Sequence, residues 1–90
     1  MYDPANPGEV LREYLPGNIG IKDVAERLNV SRQTLSAILH GRSGISADMD
    51  LRLAQALGTT PGFWLRLQMQ RDLWEAQKKG IPKIQPLIAA

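Results

Sequence analysis

The most distinctive side chains of this sequence lie between residues 31 and 42, a stretch with many hydrogen-bonding groups and no acidic residue. Gln pairs bidentately with adenine, Arg with guanine, and Ser with several bases, so these residue types suit contacts with the edges of DNA bases. In a helix, a rotation of about 100° per residue brings several of them onto one exposed face. The residues expected to contact DNA are Ser31, Arg32, Gln33, Thr34, Ser36, Ala37, His40 and Arg42.

Two of these positions suit the DNA backbone rather than the bases. Ser31 and the free amides at the start of a helix can hold a phosphate. Arg42 follows the helix and is placed for another phosphate. The alternative is an ordinary polar helix surface, because short helical hairpins are common in all-α proteins. The absence of acids favours DNA.

Catalytic and metal-binding chemistry has little support in the sequence. There is no Cys, and His40 is the only His, so no set of metal ligands is present. No nucleophile is paired with a base, and there is no glycine-rich phosphate loop. We therefore expect a protein that is not an enzyme and that needs no metal or cofactor.

The composition is that of a small globular domain, with 43% hydrophobic and 22% charged residues. A net charge of +2 and a pI of about 9.3 are compatible with nucleic-acid binding, although they are weak evidence alone. The first residues do not resemble a signal peptide. No apolar run approaches the ~20 residues that span a bilayer. We expect a cytoplasmic protein without a membrane partner.

Prolines, glycines and helix-capping residues divide the sequence into five predicted helices. No strand signal occurs before Gly80, so the predicted fold is all-α. Residues 1–80 are expected to form one DNA-binding domain. Residues 81–90 form a tail that is either loose or a short strand in need of a partner. The predicted helices span about residues 7–15, 21–28, 32–40, 47–57 and 61–79.

Residues with capping chemistry mark the helix starts. Asn6 and Ser31 are expected to cap the first and third helices, and the fourth follows Ser46. Thr60 is predicted to cap the fifth helix, with Pro61 as its first residue.

The second and third helices predict a helix-turn-helix over about residues 21–41, because only two or three residues join them. Ala25 lies where the two helices approach closely. Asn29 lies at the turn, where a positive φ is common and Asn is tolerated. Leu35 and Ile38 are expected to bury one side of the third helix.

The fifth helix has apolar residues on two opposite sides. One side includes Trp64 and Trp74 and is expected to face the core. The other side, with Leu65, Met69 and Leu73, predicts the interface of a homodimer, because two apolar faces need two partners and two-fold dimers dominate oligomers. The alternative is that the other helices and the tail cover both sides.

The segment IKDVAERLNVSRQTLSAILHG resembles the helix-turn-helix of the lambda-repressor or Xre family. That family has Ala at the position of Ala25 and an apolar residue at Leu35. It usually has Gly at the position of Asn29, which can adopt the same backbone conformation. The resemblance implies a five-helix, lambda-repressor-like fold.

A second resemblance is more specific. The opening NPGEVLREYL is similar to the start of HigA-type antitoxins, and the motifs ISAD, LRLA, ALGT and FWLRLQ follow in the same order as in those proteins. Together the motifs cover roughly residues 6–75. The resemblance implies a homodimeric antitoxin that binds double-stranded operator DNA, represses its own operon and neutralises a HigB/RelE-like, mRNA-cleaving toxin.

The alternative function is a stand-alone Xre-type repressor without a toxin partner, and a neighbouring toxin gene would separate the two. If the toxin is basic, acids on the antitoxin would complement it. We therefore expect the toxin on the first two helices, which carry Glu9, Glu13, Asp23 and Glu26, or on the tail.

Overall fold

The computed structural model describes residues 3–88, and within that range it contains five α-helices and no strand. The predicted all-α architecture is therefore confirmed. Residues 1–2 of the predicted domain and residues 89–90 of the predicted tail lie outside the described range. The helices are α1 (Pro7–Tyr14), α2 (Ile21–Leu28), α3 (Arg32–Leu39), α4 (Ala47–Leu57) and α5 (Phe63–Lys79).

One core joins all five helices. Helix α1 packs against α3 and α5, α2 packs against α3 and α4, and α4 packs against α5. Trp64 on α5 is completely buried, as are Leu11, Leu35 and Leu53 from three other helices. Its ring makes edge-on contacts with Phe63 and with Tyr14 of α1, whose ring centroids lie 5.0 and 5.2 Å away. The first half of α5 thus belongs to the core of the domain.

Two helix starts have the predicted caps, and a third has a cap of the same kind. The side-chain oxygen of Asn6 accepts a hydrogen bond from the amide of Gly8 at 2.9 Å. The side-chain oxygen of Ser31 accepts one from the amide of Thr34 at 3.0 Å. Ser46 caps α4 in the same way, by accepting the amide of Met49 at 3.1 Å. Each cap stabilises its helix by about 1 kcal/mol.

The predicted start of α5 is wrong. Neither Thr60 nor Pro61 begins the helix, which starts at Phe63 after a turn in which the carbonyl of Thr60 accepts the Phe63 amide at 3.1 Å. The cap comes instead from Asp50, a buried residue of α4. Its carboxylate accepts the amide of Gly62 at 2.6 Å and two further amides, those of Trp64 and Leu65, at 2.9 and 3.2 Å. A charged acceptor for three amides outcompetes a local hydroxyl cap.

Helix α1 approaches α3 so closely that their backbones touch at Gly8. A Cβ atom at this position would collide with the carbonyl oxygen of Ile38. The side chain of Arg12 strengthens this contact, because its Nε donates to the carbonyl oxygen of Leu39 at 3.1 Å. The position of α3 therefore depends directly on α1.

After α5, the described part of the tail (residues 81–88) has no regular secondary structure. Every residue in it is exposed, including four large apolar residues. The exposed fractions are 77% for Ile81, 69% for Ile84, 100% for Leu87 and 84% for Ile88.

Candidate nucleic-acid interface

The turn between α2 and α3 has the geometry predicted from its sequence. Asn29 adopts the left-handed conformation, with φ 58° and ψ 45°. The amide of Asn29 donates to the carbonyl oxygen of Glu26, and the amide of Val30 donates to that of Ala25, each at 3.0 Å. Ala25 is only 2% exposed, which agrees with the close approach of the two helices.

A residue outside the motif also holds this turn. The guanidinium of Arg52 on α4 donates to the carbonyl oxygens of Leu28 and Asn29 at 2.8 and 3.0 Å. Its Nε donates to Asp48, one turn earlier on α4, at 2.7 Å. Sequence reasoning missed Arg52, because nothing local to the motif indicates which residue of another helix reaches its carbonyl groups.

Helix α3 has one buried and one accessible side. Leu35 and Ile38 lie in the core, as predicted, and Leu39 lies there with them. Of the residues expected to contact DNA, Ser36 and Ala37 are partly buried and the rest are exposed. We call Arg32, Gln33, Ser36, Ala37 and His40 the exposed face of α3.

A shallow depression runs along this face. The side chains of Arg32, Gln33 and Ser36 line it together with Arg42 from the following loop. The structure thus brings the two predicted Arg residues and the predicted Gln to one surface. Because residues 31–47 contain no acid, a phosphate or base edge approaching this surface meets no carboxylate from that segment.

The side chain of Ser31 forms hydrogen bonds with Thr34. The hydroxyl of Ser31 accepts the amide of Thr34 and also donates to the hydroxyl oxygen of Thr34 at 2.8 Å. In this state the Ser31 side chain fixes the start of α3. Both side chains remain exposed, and the Thr34 hydroxyl retains its own proton for donation to an acceptor.

The ring of His40 is oriented by its own helix. Its Nδ1 lies 2.8 Å from the carbonyl oxygen of Ser36 and 3.3 Å from the Ser36 hydroxyl. Because a carbonyl can only accept, Nδ1 must carry a proton. In the neutral ring, Nε2 is then an acceptor that suits a donor such as a base amino group.

The loop that carries Arg42 is held at both ends. The amide of Arg42 donates to the carbonyl oxygen of Ala37 at 2.8 Å. At the other end, the amide of Ile45 donates to the side-chain oxygen of Gln68 on α5 at 2.9 Å, and the Gln68 amide group donates to Asp72 at 2.9 Å. Sequence reasoning missed this contact as well.

The start of α2 offers a further polar surface. Its N-cap is Gly20, and no side chain bonds to the first amides of the helix. Free amides at a helix start attract anions.

In residues 3–88 no group of three or more potential metal-ligating side chains occurs. None of the helices in that range is long and apolar enough to span a membrane.

Comparison with known proteins identifies the family of this chain. A family model described as helix-turn-helix matches residues 11–64, from α1 to the buried Trp64. The chain belongs to the helix-turn-helix family. An uncharacterised helix-turn-helix transcriptional regulator of Haemophilus influenzae is 41% identical over 76 residues, which are 82% of this chain and 71% of the regulator.

Members of this family named as antitoxins are also similar. Antitoxin HigA-1 of Vibrio cholerae is 40% identical over 78 residues, which are 84% of this chain and 73% of the antitoxin. A solved structure of the Pseudomonas aeruginosa antitoxin HigA with the higBA promoter is 35% identical and covers 94% of this chain and 99% of its own. Its TM-score is 0.81. The resemblance to Xre-type and HigA-type proteins and the lambda-repressor-like fold are confirmed.

Proposed function

We propose that this protein is an antitoxin that binds its operator as a homodimer, represses its own operon and neutralises a HigB/RelE-like, mRNA-cleaving toxin. The observation that carries the DNA-binding part is the exposed face of α3, with Arg42 beside it and no acid in the segment. The likeness to HigA proteins, one of them solved with promoter DNA, supports it. The protein acts by binding and not by catalysis.

In this proposal each side chain has a distinct role. Gln33 and Arg32 contact base edges, because both can form bidentate pairs. Arg42, Ser31 and the start of α2 contact phosphates, which fixes the position of α3 in the major groove. Ser36, Ala37, Thr34 and His40 complete the contact surface.

A dimer would present two copies of α3 to half-sites about 34 Å apart. The surface proposed for dimerisation is the outer face of α5, formed by Leu65, Met69, Leu73 and Ala76. Met69 and Leu73 are each 55% exposed, so this face presents large apolar side chains to solvent. Met69 lies four residues from both Leu65 and Leu73, so an antiparallel two-fold pair would place each Leu65 against Leu73 of the second copy.

Toxin binding is proposed for the surface of α1 and α2. Glu9, Glu13, Asp23 and Glu26 are exposed there, and none of the ion pairs formed among residues 3–88 includes them. Carboxylates available in this way complement a basic partner and speed its association.

Co-expression with the product of the neighbouring gene tests the proposal. An antitoxin should restore growth that the neighbouring protein alone arrests, and the two should co-purify. Glu9→Gln with Glu13→Gln should weaken that complex, whereas Glu75→Gln, which removes an exposed carboxylate from α5, should not. If the neighbouring product is harmless alone, the protein is a stand-alone repressor. The similar protein from Haemophilus influenzae is named only as a transcriptional regulator.

A further inference from the structure

The outer face of α5 is small for a dimer interface. A stable interface buries about 800 Å² and involves about 20 or more residues on each partner. The outer face supplies three large apolar side chains, of which Leu65 is already partly buried in its own domain. A dimer held by this face alone would be weak, so a stable one needs further apolar surface.

The tail extends the outer face without interruption. Leu73 and Ala76 line a depression together with Gly80 and Ile81, so the last turns of α5 and the start of the tail form one surface. Three apolar residues of the tail, Ile81, Ile84 and Leu87, are spaced three apart, which is the repeat of a polyproline II chain. If the tail adopts that conformation on its partner, the three side chains lie along one side of it.

An exposed apolar residue on the body of the protein matches this segment. Leu51 on α4 is 53% exposed. It directly follows Asp50, whose carboxylate accepts the amide of Leu65 at the start of α5. The backbone of Leu51 therefore lies near the first turn of α5, and its side chain is open to solvent there.

Helix length determines where the tail of a second copy arrives. In an antiparallel pair centred on Met69, Lys79 lies about 15 Å beyond the centre, whereas Phe63 of the second copy lies only about 9 Å beyond it, at 1.5 Å per residue. The tail of each copy therefore begins past the start of the other copy's α5. That is the region of Leu51.

We propose that the tail of each copy crosses to the second copy and packs its apolar side against Leu51 and the start of α5. The occupant of this surface is a second copy and not the toxin, because the only charged residue in the described tail is Lys83 and no acid is present to attract a basic protein. This inference rests on the dimer of the proposed function.

The test measures the dimer dissociation constant by sedimentation over a concentration series. The double variant Ile84→Asn, Leu87→Asn should raise this constant about tenfold or more, since two buried aliphatic side chains are lost from each copy. The matched double variant Lys83→Asn, Gln85→Asn changes the polar positions of the same tail and should leave it near the wild-type value.

A second pair of variants tests the partner surface. Leu51→Asp should weaken the dimer, and Gln55→Asp, one turn later on the exposed side of α4, should not. Combined with the tail variant, Leu51→Asp should add little, because both changes remove one contact. Full additivity, a dimer insensitive to the tail, or loss of toxin binding with an intact dimer would each overturn the inference. A dimer that survives Met69→Glu would instead contradict the proposed interface on α5.

Discussion

The helix-turn-helix differs from the outer face of α5 and the tail in how much of it is held by contacts within one copy. Around the turn, side chains of the same chain satisfy the backbone, with Arg52 at two carbonyl groups of the turn and Gln68 at the loop after α3. The outer face of α5 exposes Met69 and Leu73, and every residue in the described part of the tail after it is exposed. The surface proposed to read DNA is therefore held in place within one copy, whereas the outer face of α5 and the tail form the surface for which we propose a partner.

The largest expected effect is on the free energy of unfolding of the domain, the region held by contacts within one copy. Asp50→Ala should lower the free energy of unfolding by about 3–5 kcal/mol, because it leaves three amides at the start of α5 without an acceptor. Urea unfolding followed by circular dichroism measures this. Asp48→Ala is the control, since Asp48 shares the first turn of α4 but has a side chain that is 72% exposed. It should cost less than about 1 kcal/mol. Equal losses for the two variants would contradict the assigned cap.

The next largest effect is on the proposed dimerisation through the outer face of α5. Met69→Glu would place two carboxylates at the centre of the proposed dimer and should weaken dimerisation by about 3 kcal/mol, roughly a hundredfold in the dissociation constant. The unfolding free energy of the monomer should change little, because Met69 is 55% exposed. Sedimentation and urea unfolding measure the two quantities. Gln70→Glu, an adjacent change off the outer face, is the control. A monomeric wild-type protein at micromolar concentration would remove the interface altogether.

A smaller effect is on operator binding, and it distinguishes contacts with the bases from contacts with the rest of the DNA. Gln33→Ala and Arg32→Ala should each cost about 1–3 kcal/mol in operator binding and relax the sequence preference, with the fold intact. Gel-shift titrations against the operator and a scrambled site measure this, with Gln55→Ala on α4 as the control. Unchanged operator affinity in both variants would show that the exposed face of α3 does not read the bases.

The smallest effect sharpens the division between bases and phosphates. Arg42→Ala should weaken binding to the operator and to scrambled DNA by the same factor. It should also lower the slope of log affinity against log salt by about one, as expected for one phosphate contact. Titrations at several salt concentrations measure the slope. A loss confined to the operator would instead make Arg42 a base-reading residue.

Local chemistry decided which parts of the structure could be predicted. Asn6 and Ser31 cap helices that begin at the next residue, by accepting hydrogen bonds from amides two and three residues away. The φ of Asn29 follows from the turn itself. Asp50 and Arg52 act across 12–24 residues of sequence, and their reach depends on how α4 is rotated against its neighbours. No local sequence pattern indicates how α4 is rotated. The sequence therefore predicts Thr60 as the cap of α5, whereas the cap in the structure is Asp50. The contacts of the exposed face of α3 with DNA stay a prediction.

The backbone contact at Gly8 has a mechanical consequence. With no side chain between α1 and the carbonyl of Ile38, there is no rotamer change that could absorb a displacement of α1. We therefore expect a displacement of α1 to be transmitted to α3, because close-packed interiors transmit strain. If a ligand bound to α1 shifts α3 in this way, its occupancy and that of the operator become thermodynamically linked, and each alters the affinity of the other by the same factor.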